Sequence, residues 1–297
     1  MCLYPPVRYK KTRLAPTPSG FLHLGNVLSF AITAALARKN DAKILLRIDD
    51  IDRARLNKLY IQDIFDTLNF FDIPWDEGPR NIKEFEDSYS QLHRMEIYHE
   101  ALQQLRAEGK VFACTCSRKQ LFNACQCSCY GEQISLTAEN ASWRLITGSN
   151  SELAVKTYNG QVINAALPAD MRNFVVKKKD SFPAYQLTSV IDDLFYGVDL
   201  VVRGEDLWPS TLAQHELASA LGKNEFFNIN FIHHPLLMEA GEKKLSKSAG
   251  ATSVKYLREN GKSPADVYQL IAAMLGANET VGSWEQLAGL TNFISYF

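Results

Sequence analysis

The first fifty residues contain two different spacings of hydrophobic positions, one typical of strands and one typical of helices. Residues 12–16 predict a short strand, and two prolines and a glycine predict a turn after it. Residues 23–40 have apolar side chains at helical spacing, and residues 43–48 form a compact apolar strand. The order strand, turn, helix and strand predicts a βαβ unit and therefore a parallel sheet.

The middle of the chain interrupts this pattern. Helical spacing continues in residues 52–71 and 88–109, but residues from about 112 to 172 predict only short strands and turns. We interpret that stretch as an insertion into an α/β fold, because strands and helices alternate again from residue 173 onward. The predicted units are the first half of the α/β domain at 1–111, an inserted subdomain at 112–172, the second half at 173–252 and a helical C-terminal tail at 253–297.

The composition restricts the class of protein. The 297 residues are 46% hydrophobic, which is enough for a large core in one or two domains. A formal net charge of −1 argues against a general nucleic-acid-binding surface, so any RNA contact must be local. Two basic segments, 8–13 and 177–179, are candidates, although a solvated charge run is the simpler explanation of each. No apolar run is long enough to cross a membrane and no signal peptide is recognisable, so we expect a cytoplasmic protein.

Cysteine is concentrated in one short stretch. Five of the six cysteines lie between residues 114 and 129. In a reducing compartment this crowding favours a metal site over disulfides. Four thiolates suit one structural Zn²⁺ ion, and the candidate ligands are Cys114, Cys116, Cys125, Cys127 and Cys129. The last three compete for two positions, and free thiols or a site that has lost its metal are the alternatives.

The turn before the first predicted helix combines a histidine with glycine. His23, Gly25 and Asn26 stand where the turn gives way to the helix. The first amide groups of a helix have no partner within it and attract anions, so a nucleotide phosphate fits this place. His23 can donate to a phosphate oxygen, and glycine allows close approach of the backbone. A tight turn capped by His23, without any ligand, explains the same residues.

A cluster of lysines lies 220 residues after His23. The sequence Lys243-Lys244-Leu-Ser-Lys247-Ser is followed by Ala-Gly, which predicts a loop. Mobile lysines suit a reaction in which negative charge develops on phosphate oxygens. A solvated basic loop is the alternative explanation.

These two segments together resemble the paired signatures of one enzyme family. The run Arg13-Leu-Ala-Pro-Thr-Pro-Ser-Gly-Phe-Leu-His-Leu-Gly25 resembles the HIGH-type signature of class I aminoacyl-tRNA synthetases in their glutamyl and glutaminyl branch. The run Lys-Leu-Ser-Lys-Ser resembles their KMSKS signature. The resemblance implies a Rossmann-type doubly wound parallel sheet and catalytic roles for His23 and Lys247. It also implies ATP with Mg²⁺, the nucleotide being bound by His23, Gly25, Asn26, Lys244 and Lys247.

Other segments resemble the glutamate-binding residues of that family. By this resemblance, glutamate is bound by Arg13, Ala15, Thr17, Asp49, Tyr185 and Arg203. Asp49 departs from the family pattern, which has a glutamate there, and its side chain is one methylene shorter. Structural alternatives exist for these residues. The acids around Asp49 can cap the next helix, Tyr185 can be an ordinary half-buried ring, and Arg203 can form an ion pair with Asp192 or Glu205.

The chain ends 49 residues after Ser248, which predicts a branch within the family. Members that charge a tRNA acceptor end continue into a large helical anticodon-binding part. The sequence instead looks like the stand-alone catalytic paralogues, which activate glutamate with ATP and transfer it to the queuosine base of tRNA(Asp). We expect the activation step to need no tRNA. Cys114 and Cys116 match the first zinc-ligand pair of the family. The expected partners are L-glutamate, ATP and queuosine-bearing tRNA(Asp), with no membrane, and the expected state is a monomer.

Three rival functions follow from the same sequence. One is a truncated glutamyl-tRNA synthetase that charges an ordinary acceptor end. A second is a non-catalytic paralogue that only binds RNA or an amino acid. A third is a nucleotidyltransferase of the same fold, and the set Arg13, Tyr185 and Arg203 argues against it because such enzymes need no amino-acid carboxylate pocket.

Overall fold

The fold is known from a computed structural model that describes residues 8–116, 128–148, 152–237 and 253–290. Its first unit is the predicted βαβ arrangement. Strand β1 (Lys11–Leu14) leads through a turn into helix α1 (Leu24–Asn40), and strand β2 (Lys43–Leu46) returns parallel to β1. Apolar residues of β2 and α1 are buried in the same core, which explains the compact apolar run in β2 and the helical spacing of apolar positions in α1.

A larger sheet of six strands forms the centre of the described structure. Besides β1 and β2 it contains β5 (Glu152–Thr157), β6 (Val162–Ala166), β8 (Leu200–Gly204) and β9 (Asn230–His234). The strand order is β2-β1-β8-β9-β5-β6; the first five strands in this order are parallel, and β6 is antiparallel to β5. The predicted α/β class with a largely parallel sheet is therefore confirmed.

A smaller antiparallel sheet lies apart from the first. It contains β3 (Val111–Cys114), β4 (Ser142–Leu145) and β7 (Val175–Lys177) in that order. The segment 112–172, predicted as one insertion, thus contributes to both sheets, because β5 and β6 extend the larger one. Conversely β7, which the sequence assigned to the α/β domain, joins the smaller sheet. Short strands with alternating burial do not reveal which sheet edge they pair with.

Helices pack against the larger sheet and connect its strands. Two predicted starts differ from the structure. The helix predicted from residue 52 begins at residue 58, because Asn57 caps it. The helix predicted from residue 88 begins at residue 95, because a π-helical turn (Phe85–Tyr89) and a 3-10 turn (Gln91–Arg94) precede it. The helices are α2 (Lys58–Phe70), α3 (Ile82–Glu84), α4 (Met95–Ala107), α5 (Tyr185–Phe195), α6 (Trp208–Ala220), α7 (Val254–Glu259), α8 (Pro264–Met274) and α9 (Trp284–Gly289). Across the described ranges, none of the helices combines the length and apolarity needed to span a bilayer.

The parallel strands bring their carboxyl ends to one edge of the larger sheet. Ala15 follows β1, Arg47 follows β2, Arg203 lies near the end of β8, and His234 ends β9. In an open α/β sheet, ligands bind in the crevice outside this edge. The fold therefore directs attention to the residues at these four strand ends.

Candidate active site

The turn before α1 is fixed by its own hydrogen bonds. His23 is the N-cap of the helix, and its Nδ1 accepts a hydrogen bond from the backbone N–H of Gly25 at 3.1 Å. The side chain of Asn26 accepts from the N–H of His23 at 3.0 Å and completes a capping box. Because Nδ1 accepts, the proton of a neutral ring lies on Nε2. A Cβ atom on Gly25 would lie 3.0 Å from Cε1 of His23, so glycine at this position leaves room for the ring.

A cleft of about 1060 Å³ opens beside this turn, at the carboxyl ends of the strands. It brings together most of the residues that the sequence indicated for ATP and glutamate. Those that line it are Arg13, Ala15, Thr17, His23, Gly25, Asn26, Tyr185 and Arg203. Residues 190 positions apart in the chain, such as Arg13 and Arg203, therefore contribute to one pocket of the size expected for a small ligand.

Arg203 is buried but has only neutral partners. Its side chain is 4% exposed, and Nη2 donates to Thr211 Oγ1 at 2.6 Å and to Gln214 Oε1 at 2.9 Å. Among the described residues, no carboxylate lies within 4.0 Å of its guanidinium, so the alternative of an ion pair with Asp192 or Glu205 is not what this part of the structure shows. Burial lowers the pKa of Arg203 to about 10, and the nearby charge of Arg13 acts in the same direction.

Arg13 lies on the same side of the cleft. Its Nη1 donates to the carbonyl oxygen of Val202 at 3.3 Å, and its Nε lies 3.5 Å from Asp193 Oδ1. That distance is an ion pair, but Nε makes no hydrogen bond within the described part of the chain. Two buried guanidinium groups thus face one cleft with donors to spare, which favours an anionic ligand with more than one acceptor group.

Asp49 does not line the cleft as the structure describes it. Arg47 binds both of its oxygens, with Nε 2.7 Å from Oδ1 and Nη2 3.1 Å from Oδ2. Burial raises the pKa of Asp49, and the charge of Arg47 opposes that increase. Its neighbour Asp50 accepts from the N–H of Gln91 at 2.7 Å rather than capping a helix. The role of Asp49 in binding an ammonium group stays a prediction.

The lysine motif, including Lys244 and Lys247, lies outside the described residues. The residues on either side of it, Leu237 and Ser253, both line the cleft. Ser253 forms an antiparallel bridge with His23, and the N–H of Val254 donates to the carbonyl oxygen of Leu22 at 2.8 Å. The chain that resumes at Ser253 is therefore held at the His23 turn.

Ser29 and His234 are among several polar residues of the cleft that the sequence did not indicate. Ser29 Oγ lies 2.5 Å from His234 Nε2, while His234 Nδ1 lies 2.9 Å from the carbonyl oxygen of Pro235. That carbonyl can only accept, so Nδ1 has the proton and Nε2 accepts from Ser29. Burial lowers the pKa of His234, which keeps the ring neutral. The available signal was the position of His234 at the end of a strand that follows the Arg203 strand.

Three of the predicted metal ligands meet at the smaller sheet. The sulfur atoms of Cys114, Cys116 and Cys129 all lie within 4.8 Å of one another, and Cys116 and Cys129 are 3.4 Å apart. Tetrahedral coordination with Zn–S bonds of about 2.3 Å requires sulfur atoms about 3.8 Å apart, so this arrangement fits a zinc ion. Cys125 and Cys127 lie outside the described residues.

Comparisons with known proteins agree with this geometry. The sequence model of the family described as tRNA synthetases class I (E and Q), catalytic domain, matches residues 10–130 and 132–281. A glutamyl-Q tRNA(Asp) synthetase of Symbiobacterium thermophilum is 34% identical over 281 residues, covering 89% of this chain and 86% of the relative. A glutamyl-Q tRNA(Asp) synthetase of Synechococcus is 35% identical over 263 residues, covering 89% and 82%.

A solved structure agrees at the level of the fold. The glutamate-tRNA synthetase of Elizabethkingia anophelis matches with a TM-score of 0.72 and 21% identity. The match covers 95% of this chain but only 65% of that longer chain.

The fold and the cleft together define a catalytic domain of the class I aminoacyl-tRNA synthetases. With its family match and its relatives, the chain belongs to the branch of that class described for glutamate and glutamine, and it is a ligase of the glutamyl-tRNA synthetase type. The resemblance inferred from the two sequence signatures is thereby confirmed.

Proposed function

We propose that the protein activates L-glutamate with ATP and transfers the glutamyl group to the queuosine base of tRNA(Asp). The observation that supports this most strongly is Arg203, a buried cation with neutral partners, in the same cleft as the His23 turn. A buried charge is costly unless an opposite charge meets it. A ligand carboxylate would provide that charge.

Glutamate fits the cleft by charge. It has two carboxylates and one ammonium group, and the cleft has two buried guanidinium groups, Arg13 and Arg203, with Tyr185 lining the same cleft. We assign the γ-carboxylate to Arg13 and place Ala15 and Thr17 beside the substrate. Glutamine would leave buried donors poorly paired, and sites of this kind reject such analogues strongly. In this assignment Asp49 binds the ammonium group while Arg47 holds its orientation.

The first step needs no protein nucleophile. An oxygen of the α-carboxylate attacks the α-phosphorus of ATP, the bond from that phosphorus to the bridging oxygen breaks, and pyrophosphate leaves with the electron pair. The Nε2–H of His23, at the N-terminus of α1, would donate to a phosphate oxygen, with Gly25 and Asn26 alongside. Lys244 and Lys247, from the segment whose ends lie on the cleft, would neutralise the developing charge. Mg²⁺, bound with ATP, supplies further charge neutralisation there.

In the second step, a hydroxyl of the modified nucleoside attacks the carbonyl carbon of the adenylate. AMP leaves, and the hydroxyl proton passes to solvent or to the phosphate. The two relatives named glutamyl-Q tRNA(Asp) synthetase, which this chain matches over most of their length, support this acceptor over an ordinary tRNA end.

Charging with labelled glutamate tests the acceptor. We expect tRNA(Asp) with queuosine to be charged and the same tRNA without queuosine to stay unlabelled. Equal charging of both would instead support a glutamyl-tRNA synthetase that acts on the acceptor end. ATP–pyrophosphate exchange with glutamate alone tests the first step, and strict dependence on tRNA would contradict tRNA-independent activation.

Zinc is the proposed occupant of the cysteine cluster. Cys114, Cys116 and Cys129 would supply three thiolates, and Cys125 or Cys127 the fourth. The ion would hold the smaller sheet together and take no part in adenylation, because the cluster does not line the cleft. We expect one equivalent of zinc by elemental analysis and a loss of most of it in Cys129→Ser, with exchange activity changed by less than about twofold. The cytoplasmic location, the monomeric state and the four-part domain division remain predictions.

A further inference from the structure

The partners of Arg203 are themselves held by a chain of neutral hydrogen bonds. Gln214 is 1% exposed, and its Nε2 donates to Gln186 Oε1 at 3.0 Å. Gln186 Nε2 in turn donates to Ser210 Oγ at 3.0 Å. Because the NH₂ of Gln214 is committed to Gln186, its oxygen must face Arg203. The amide therefore presents a fixed acceptor to the guanidinium.

The second acceptor is neutral as well. Thr211 Oγ1 accepts from Arg203 and lies 2.6 Å from His233 Nε2. Burial lowers the pKa of His233 to about 2, so that ring has no charge at neutral pH. The guanidinium also lies 5.1 Å from the ring of Phe231, which adds contact without a full negative charge. Among the described residues, Arg203 thus has no carboxylate as a hydrogen-bond partner, and the favourable effects of Tyr185 and Asp193 on its pKa do not outweigh burial.

We propose that Gln214 is a positioning residue for glutamate: its neutral amide oxygen orients Arg203 while leaving the counter-charge to be supplied by a substrate carboxylate. The inference rests on the proposed function and adds a specificity element to it. A glutamate side chain at this position has nearly the same shape but a full negative charge. It would form an internal ion pair with Arg203, as Asp49 does with Arg47, and would compete with the substrate.

Two substitutions separate charge from shape. Gln214→Glu retains the acceptor and adds the charge, whereas Gln214→Met removes the acceptor and adds no charge. We expect Gln214→Glu to raise both the Kd of glutamate, measured by calorimetry, and its KM in pyrophosphate exchange by at least about tenfold, since hydrogen bonds to charged groups have this magnitude. The KM of ATP should change less than twofold. Gln214→Met should raise the KM of glutamate only about threefold, because the charge of Arg203 stays available.

A matched control is Gln286→Glu. Gln286 is exposed, far along the chain in α9, and its oxygen accepts from the N–H of Gly282 at 2.7 Å, a contact that a carboxylate can keep. Its KM values should equal those of the wild type. Urea unfolding of each variant shows whether it is folded. If Gln214→Glu does not fold, Thr211→Val removes the other neutral anchor and should raise the KM of glutamate selectively.

The outcomes distinguish this inference from the proposed function. A wild-type protein that neither binds glutamate nor exchanges pyrophosphate overturns both. If the wild type is active, unchanged glutamate affinity in Gln214→Glu overturns the inference alone. Equal increases of KM in Gln214→Glu and Gln214→Met also overturn it, because they show that only the shape of Gln214 matters. If Thr211→Val is the variant tested, an unchanged KM for glutamate likewise overturns the inference.

Discussion

Arg47 and Arg203 are two buried arginines at the carboxyl ends of two parallel strands of one sheet, and the charge of their partners differs. They are 3% and 4% exposed. Arg47 contacts the carboxylates of Asp49 and Asp193, at 2.7 and 2.6 Å, whereas Arg203 has hydroxyl and amide partners. The comparison teaches that burial alone does not separate a structural cation from a ligand-binding one. The charge of its partners does.

The two surroundings also shift the pKa in opposite directions. Burial by itself would lower the pKa of Arg47, but the carboxylates of Asp49 and Asp193 outweigh it and raise the pKa well above its ordinary value. For Arg203, burial dominates and the pKa falls to about 10. The protein itself supplies the counter-charge of Arg47, whereas the charge of Arg203 stays costly and is available to a ligand.

Removing Arg47 should have the largest effect on stability. Arg47→Met leaves Asp49 and Asp193 buried without their main counter-ion. We expect the free energy of unfolding to fall by about 3–5 kcal/mol, the usual result of breaking a buried ion pair on one side. Urea unfolding followed by circular dichroism measures it. A loss below about 1 kcal/mol would mean that the ion pairs of this region are not structural.

The buried contacts of Asp192 make the stability of the protein depend on pH. It accepts from Arg94 Nε at 2.8 Å, Arg94 Nη2 at 3.0 Å and Tyr98 Oη at 2.5 Å. Although burial would raise the pKa of Asp192, these hydrogen bonds and the nearby arginines lower it. A lowered carboxyl pKa contributes stability above the unfolded value of about 3.9, and that contribution is lost as pH falls through the folded value.

We therefore expect Asp192→Asn to lose about 3 kcal/mol or more at pH 7. The difference from the wild type should shrink as the pH falls below about 4. Urea unfolding at several pH values provides the measurement. A difference that stays constant down to pH 2 would contradict the assigned ionisation of Asp192.

Asp63 is an intermediate case and should show a smaller effect. It accepts from the N–H of Leu22 at 3.0 Å, and Arg258 Nη2 lies 3.4 Å away. Burial raises the pKa of Asp63 despite these partners. Asp63→Asn keeps an acceptor for Leu22, and a raised carboxyl pKa means that the folded state gains nothing from the charge at pH 7, so we expect a loss of no more than about 1 kcal/mol in urea unfolding. A loss as large as that of Arg47→Met would place Asp63 in the same class as the Arg47 ion pairs.

Removing Arg203 should have the smallest effect on stability. Arg203→Met deletes a charge that has no counter-ion among the described residues, so relief of desolvation offsets the lost hydrogen bonds. We expect the free energy of unfolding to stay within about 1 kcal/mol of the wild type under the conditions used for Arg47→Met. A loss of about 3 kcal/mol or more would mean that Arg203, like Arg47, stabilises the fold.

The sequence predicted the positions of these groups better than their partners. Hydrophobic period and turn residues are local signals and predicted the βαβ start, whereas the resemblance to the synthetase family indicated that Arg13, His23 and Arg203 share one site. The pairing of Arg47 with Asp193 joins residues 146 positions apart, and no local pattern encodes it. For the same reason the contact of Ser29 with His234 was missed, and the extension of the larger sheet by β5 and β6 was not predicted.

The most direct test of the central claim is glutamate-dependent ATP–pyrophosphate exchange by Arg203→Met, compared with the wild type and with Arg38→Met. Arg38 is 66% exposed and pairs with Glu285, so its substitution controls for the loss of one arginine. If Arg203 binds a substrate carboxylate, kcat/KM for glutamate should fall by about 10²-fold or more in a folded Arg203→Met protein, and Arg38→Met should match the wild type. Exchange by Arg203→Met within about threefold of the wild type would contradict the account.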